Sequence, residues 1–147
     1  MKILIINGPN LNLLGKRDKK FYGSMTLDEI NDLIKKEFPK DKFTFVQSNL
    51  EGEIVNLIQS AEKKFDGLII NPGGYAHTSV AIRDALDECK IIKIEVHLSN
   101  LSKRESFRHD MLTAAVCDGY ITGFKENSYT AAVYLINKIF NNTKRKN

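Results

Sequence analysis

The feature that most constrains this chain is a regular alternation of short apolar runs with stretches of helical period. Continuous apolar runs at 3–6 and 67–70 show no polar alternation, the pattern of strands buried on both faces of a parallel sheet. Runs at 43–46, 91–96 and 119–123 read as further strands, and 67–71 completes the third. Between them, Thr26-Leu27-Asp28-Glu29 is a capping box that opens a stripe of Leu27, Ile30, Ile34 and Phe38. Ile54, Leu57, Ile58 and Ala61 mark a second helix, 80–86 another, and 129–140 the last. Ser102-Lys103-Arg104-Glu105 reads as a second capping box opening a helix before the final strand. Strands and helices in strict alternation predict an α/β fold: a flavodoxin-like, doubly wound, five-stranded parallel sheet with helices on both faces.

With 147 residues the chain is one domain, expected over 1–141, with a polar basic tail over 142–147. Charge says little about partners. Without Lys144, Arg145 and Lys146 the balance is 19 basic against 18 acidic residues, so nucleic acid is not expected. The longest apolar stretches fall short of a membrane helix or a signal peptide, which leaves the cytoplasm as the expected compartment. Cys89 and Cys117 stand far apart without a CxxC or a His/Cys cluster, so neither a redox pair nor a metal site is expected, and both read as small buried residues. Lysine outnumbers arginine 17 to 5. Arg17, Arg83, Arg104 and Arg108 therefore mark places where a planar, always-charged fork is needed.

Ligands of a doubly wound sheet bind beyond the carboxyl ends of its strands, and there the unusual residues collect. The segment 8–23 is too long for a turn and reads as a lid. It is not a phosphate loop, because six residues separate Gly8 from Gly15 and Lys16 is followed by Arg17. Its cluster Lys16-Arg17-Asp18-Lys19-Lys20 beside Phe21-Tyr22 suits a cationic flap closing over an anion. Asn71-Pro72-Gly73-Gly74-Tyr75-Ala76-His77-Thr78-Ser79 forces a tight turn, with Thr78 or Ser79 able to cap the next helix. Taken by itself, His77 reads more readily as structural than as functional. Glu95 and His97 share a strand face, and a carboxylate beside an imidazole orients the ring and favours its charged, acidic form. Arg104 and Arg108, four apart, would repel on one helical face unless an anion lies by them. His109 reads as surface, and Arg83-Asp84 as an intersubunit contact.

Together these pieces resemble the type II 3-dehydroquinate dehydratase family. The likeness rests on Asn7-Gly8-Pro9-Asn10-Leu11-Asn12 with Leu14-Gly15, on Arg17 ahead of Tyr22-Gly23, and on Asn71 through Ser79. It continues through Arg83-Asp84, Glu95-Val96-His97-Leu98-Ser99-Asn100 and Arg104 with Phe107-Arg108, covering the chain to about Phe140. The resemblance implies a metal-free, cofactor-free hydro-lyase that converts 3-dehydroquinate to 3-dehydroshikimate by anti elimination through an enolate, a step of aromatic amino acid biosynthesis. It implies Tyr22 as base, Arg17 as the cation that favours its phenolate, and His97 as the acid that protonates the departing hydroxyl. Asn10 would hold a water that stabilises the enolate, and Glu95 would orient His97. Asn71, His77, Leu98, Ser99, Arg104 and Arg108 would hold the substrate. Trimers assembled into a dodecamer are implied too, with Asp84 reaching a neighbouring subunit's site. The chain departs from the family pattern at Asp18-Lys19, where Glu-Pro is usual and a stiffer lid would result, at Ala76 for a frequent threonine, and at Ser128 for a glycine.

A phenolate at pH 7 costs a tyrosine about 4 kcal/mol. A guanidinium at ~5 Å in an effective dielectric of ~20 returns on the order of 3 kcal/mol. One arginine is therefore marginal, and Arg17 needs help from Arg104 or Arg108. Two rival readings are weaker. The lysine Schiff-base route to the same reaction uses a (β/α)₈ barrel of about 250 residues. An FMN-binding electron carrier of flavodoxin-like architecture needs a Ser/Thr-rich phosphate cradle after strand one, where this chain has Gly8-Pro9-Asn10-Leu11.

Overall fold

The computed structural model describes residues 1–146, with side chains through Thr143. Its sheet is five-stranded and wholly parallel, in the order β2-β1-β3-β4-β5, with β1 at Lys2–Asn7, β2 at Lys42–Gln47, β3 at Gly67–Asn71, β4 at Ile92–His97 and β5 at Gly119–Thr122. This is the expected doubly wound α/β fold. Side-chain alternation along the strands feeds two separate cores. Ile3 and Ile5 of β1, Ile69 of β3 and Ile94 and Val96 of β4 pack on Ile30 and Ile34 of α2 (Leu27–Glu37) and on Tyr129, Val133 and Ile136 of α5 (Asn127–Lys146). Leu4, Ile6, Leu68 and Ile70 point the other way, onto Ile54 and Ile58 of α3 (Glu51–Ala61) and Ile82 and Leu86 of α4 (Val80–Glu88). The continuous apolar reading of β1 and β3 follows directly, since from Ile3 to Ile6 and from Leu68 to Ile70 every side chain is buried by one helix pair or the other.

The capping box at α2 is closed in both directions: the Thr26 side chain accepts from Glu29 N at 3.2 Å, and the Glu29 carboxylate accepts from Thr26 N at 2.7 Å. Ser79 caps α4 by accepting from Ile82 N at 2.9 Å. The second expected capping box does not form. Asn100 takes the cap instead, accepting from Ser102 N at 3.1 Å, and Arg104 is extended at φ −104, ψ −173. Only 3₁₀ turns, Leu101–Lys103, Ser106–His109 and Ala114–Val116, join β4 to β5. Bonds from the Arg104 guanidinium to Tyr22 and Ser99, described below, outweigh the local helical preference there.

The segment expected as an unstructured lid is also more ordered than its sequence indicates. It carries a 3₁₀ turn, Leu11–Leu13, and a one-turn helix α1, Lys19–Tyr22, capped by the Asp18 side chain on Lys20 N. Leu11 and Leu14 are buried and anchor it to the α2/α5 core. Asp18, in the place of the usual Glu-Pro, thus supplies a cap of its own. Cys89 is buried as expected, whereas Cys117 is half-buried. The α5 helix extends past the expected end to Lys146, and the side chains of Lys144, Arg145 and Lys146 lie outside the described residues.

The parallel register sets Asn7 directly beside Asn71, so the chain leaves β1 and β3 at the same level. Gly8 N then donates to Asn71 O at 2.7 Å. A Cβ on Gly8 would stand 2.6 Å from Pro72 O, so only glycine lets the two loops run this close. Gly8→Ala is expected to destabilise the fold by about 1–3 kcal/mol, the usual cost of forcing atoms into a packed site. Urea unfolding at constant m-value measures this, and an unshifted midpoint would show that the loop after β3 yields instead.

Candidate active site

Three segments meet above the carboxyl ends of β1, β3 and β4 and enclose one cavity. Asn10, Arg17 and Tyr22 come from the loop after β1, Asn71 and His77 from the end of β3 and its turn, and His97, Leu98, Ser99, Arg104 and Arg108 from the end of β4 and the turns beyond. Of the site residues that the resemblance implies, only Glu95 and Asp84 are not in its wall, and of the flap cluster Arg17 and Tyr22 line it while Lys16, Lys19, Lys20 and Phe21 do not. Glu95 lies beneath it, completely buried. Asp84 is exposed on α4, paired with Arg83 at 3.0 Å.

The Tyr22 hydroxyl is the focus of positive charge. Arg17 Nη2 donates to it at 2.8 Å and Arg104 Nη1 at 3.1 Å. The Arg17 guanidinium also lies 3.9 Å from the centre of the Tyr22 ring, while that of Arg104 covers the Phe21 ring at 4.3 Å and donates to Ser99 Oγ at 3.2 Å. Burial works against the charge on Arg104, but its bond to Tyr22 and the nearby Glu105 carboxylate more than offset this, and its pKa is raised. Glu105 answers the expected repulsion of Arg104 and Arg108: its carboxylate lies 3.3 Å from Arg104 Nε and 2.7 Å from Arg108 Nε. A backbone hydrogen bond and the Arg108 guanidinium hold that exposed carboxyl down at about 2.

On another wall, His97 Nε2–H donates to Glu95 Oε1 at 2.7 Å, and Thr113 Oγ–H donates to Glu95 Oε2 at 2.6 Å. Glu95 faces away from the α2/α5 core because Ile94 and Val96 flank it and point into that core. The His97 carbonyl accepts from Ser128 Oγ at 3.0 Å, a bond that a glycine at 128 could not make. His77 stacks on His97 with ring centres 6.4 Å apart, and its Nδ1–H donates to the Asp110 carbonyl at 2.8 Å. That geometry leaves Nε2 of a neutral His77 as an acceptor at the cavity. The Asn71 side chain is oriented by two bonds, donating to Tyr129 Oη at 3.0 Å and accepting from Gly73 N at 3.2 Å. Asn10 sits in the left-handed region at φ 67, a conformation asparagine tolerates, and its backbone N–H donates to Asn49 Oδ1 at 3.1 Å.

Sequence reasoning missed Thr113, Asn49 and the orienting role of Tyr129. Their bonds span 18, 39 and 58 residues, so no local spacing links them to the site. His109 is exposed, as expected. Among the described residues, no three His, Cys, Asp or Glu side chains come together as a metal site, and no helix is long and apolar enough to cross a membrane.

A phenol gripped by two guanidinium groups and an imidazole backed by a carboxylate, across one cation-rich cavity, are the parts of an acid–base enzyme acting on an anion. Residues 1–137 match the family model described as dehydroquinase class II. The chain is 53% identical over 143 residues to the 3-dehydroquinate dehydratase of Fusobacterium nucleatum, covering 92% of this chain and 97% of that one. It is 50% identical over 137 residues to the enzyme of the same name from Caldanaerobacter subterraneus, covering 92% and 93%. The crystal structure of type II dehydroquinase from Butyrivibrio crossotus superposes with a TM-score of 0.90 at 45% identity, over 93% of this chain and 97% of that one. The chain belongs to the class II dehydroquinase family, and is a hydro-lyase.

Burial, and to a smaller extent the neighbouring His97 and Arg108 charges, lower the pKa of His77 below 6.5 despite its bond to Asp110. On acidification the unfolded chain then takes up this proton before the folded one does. The His77 contribution to stability is complete above pH 6.5 and is lost as pH falls below it. Thermal melts between pH 8 and pH 5 are expected to fall on the acid side, with a smaller slope in His77→Gln; an identical slope in the variant would assign the effect elsewhere.

Proposed function

We propose that this chain is a 3-dehydroquinate dehydratase that forms 3-dehydroshikimate by anti elimination, as a cytoplasmic step of aromatic amino acid biosynthesis. The observation that carries the reading is the paired donation of Arg17 and Arg104 to the Tyr22 oxygen. The two guanidinium groups stand where the negative charge of a phenolate would fall. In this mechanism the Tyr22 phenolate removes a proton from the carbon beside the ketone, and the electron pair moves into an enolate. Asn10, whose side chain makes no hydrogen bond to the described residues, holds the water that stabilises the enolate oxygen. As the enolate collapses, the C–O bond to the β-hydroxyl breaks and His97 delivers a proton to it, so water leaves and a conjugated enone remains. The two proton transfers balance, and solvent exchange returns Tyr22 to phenolate and His97 to imidazolium.

Glu95 accepts from Nε2–H, so the proton that is transferred is the one on Nδ1 of His97. Arg104, Arg108, Ser99 and the Leu98–Ser99 backbone bind the substrate carboxylate and hydroxyls, while Asn71 and His77 bind from the β3 side. For assembly we favour trimers in a dodecamer, with Asp84 serving a neighbouring site; its exposure outside its own cavity supports this. An electron carrier is disfavoured because the loop after β1 is anchored by buried Leu11 and presents Arg17 and Tyr22 where a flavin phosphate would need its cradle.

Mixing the protein with 3-dehydroquinate is expected to produce the ultraviolet band of the conjugated enone at the same rate with and without chelator. Tyr22→Phe is expected to lower turnover on the order of 100-fold or more with its melting curve retained. No band from the unaltered protein would refute the activity, and near-normal turnover in Tyr22→Phe would remove tyrosine as the base.

A further inference from the structure

Glu95 is completely buried, yet among the described residues neither of its oxygens bonds to a lysine or arginine. Among the described residues its compensation is two hydrogen bonds, one from His97 and one from Thr113. Thr113 is itself completely buried and stands at the start of the 3₁₀ turn Ala114–Val116, in the crossover that has no α-helix. Its backbone N–H donates to Ala76 O at 3.4 Å and its carbonyl accepts from Cys117 Sγ at 3.5 Å, so the hydroxyl is left to serve Glu95. Valine would fill the same space without that hydroxyl.

We propose that Thr113 is a positioning residue for the reaction: through Glu95 it holds His97 as an imidazolium with Nε2–H turned inward and Nδ1–H presented to the leaving group. This role rests on His97 being the acid. A buried carboxylate oxygen stripped of its donor is costly, and the nearest relief is for the shared proton to move from Nε2 to Glu95. That move leaves two neutral groups, and the remaining Nδ1–H belongs to a neutral imidazole, a far weaker acid than imidazolium. Other charged or titratable groups facing the pair are His77, stacked on His97, Arg108, whose charge is felt at His77, and Cys117. Burial and the Glu95 charge push the Cys117 thiol up to about 12, and its S–H is directed to the Thr113 carbonyl rather than to Glu95. Lys93 is felt at Cys117 but its ammonium is turned to the Cys89 carbonyl at 2.9 Å.

The test compares Thr113→Val, Thr113→Ser and His97→Asn with the unaltered enzyme, using 3-dehydroquinate turnover and ¹⁵N spectra of histidine-labelled protein. Thr113→Val is expected to lower kcat on the order of tenfold or more while KM stays within about twofold, the loss of one hydrogen bond to a charged group. The His97 ring signals should move from the imidazolium pattern to the neutral one, and Thr113→Ser should restore both. Unchanged kcat in Thr113→Val, or a serine variant as impaired as the valine one, would overturn the role of the hydroxyl. If the valine protein does not fold, Thr113→Ser against Thr113→Ala makes the same comparison, since the two differ by that hydroxyl alone. Full activity in His97→Asn would instead overturn the assignment of the acid; a dead His97→Asn beside a normal Thr113→Val would sink only the inference about Thr113.

Discussion

The carboxyl ends of β1 and β3 are joined by a polar bridge inside an otherwise apolar core. Tyr129 Oη donates to Asn7 Oδ1 at 2.6 Å and accepts from Asn71 Nδ2 at 3.0 Å, with all three side chains buried. Burial disfavours ionisation of the Tyr129 phenol, so it stays a neutral donor and acceptor. Polar groups at this depth are costly unless paired, so the three fix one another: the strand register sets Asn7 beside Asn71, and α5 must bring Tyr129 to them. From this junction both loops start at one level, the Gly8–Pro72 approach becomes possible, and Asn71 faces the cavity in a single orientation.

Two opposite electrostatic arrangements are built on that frame. Around Tyr22 the protein gathers cations, with Arg17 and Arg104 both donating to the phenol oxygen. Beside His97 it buries the Glu95 carboxyl group, which fixes the orientation of the ring. The two arrangements face one cavity from different walls. Glu105 plays a related part at the rim, tying Arg104 and Arg108 so that they can approach one anion without a helix to hold them.

The irregular crossover between β4 and β5 serves this arrangement. An α-helix over 102–109 would have put Arg104 and Arg108 on one outward stripe. With Arg104 extended, its guanidinium reaches back to Tyr22, 82 residues away in sequence, and the crossover can lay Thr113 under Glu95. The local signal for a helix was real, but tertiary hydrogen bonds to a charged group outweigh the few tenths of a kcal/mol that side-chain pairs give an exposed helix.

What the sequence determined by itself was carried by short-range pattern, except where tertiary bonds overrode it at 102–109. Unbroken apolar runs specified strands buried on two faces, the Thr26 capping box specified where α2 begins, and the strand ends marked where chemistry would collect, including the walls that hold Arg17, Tyr22, His77 and His97. The Glu95–His97 pair was legible because strand period is two. Tertiary structure alone decided which arginine joins Arg17 at Tyr22, that His77 faces the cavity, that Thr113 supports Glu95, and that Asp84 stands apart from its own site. Those depend on contacts between residues tens of positions apart, which are set only when the sheet register and the packing of α5 bring the strand ends together.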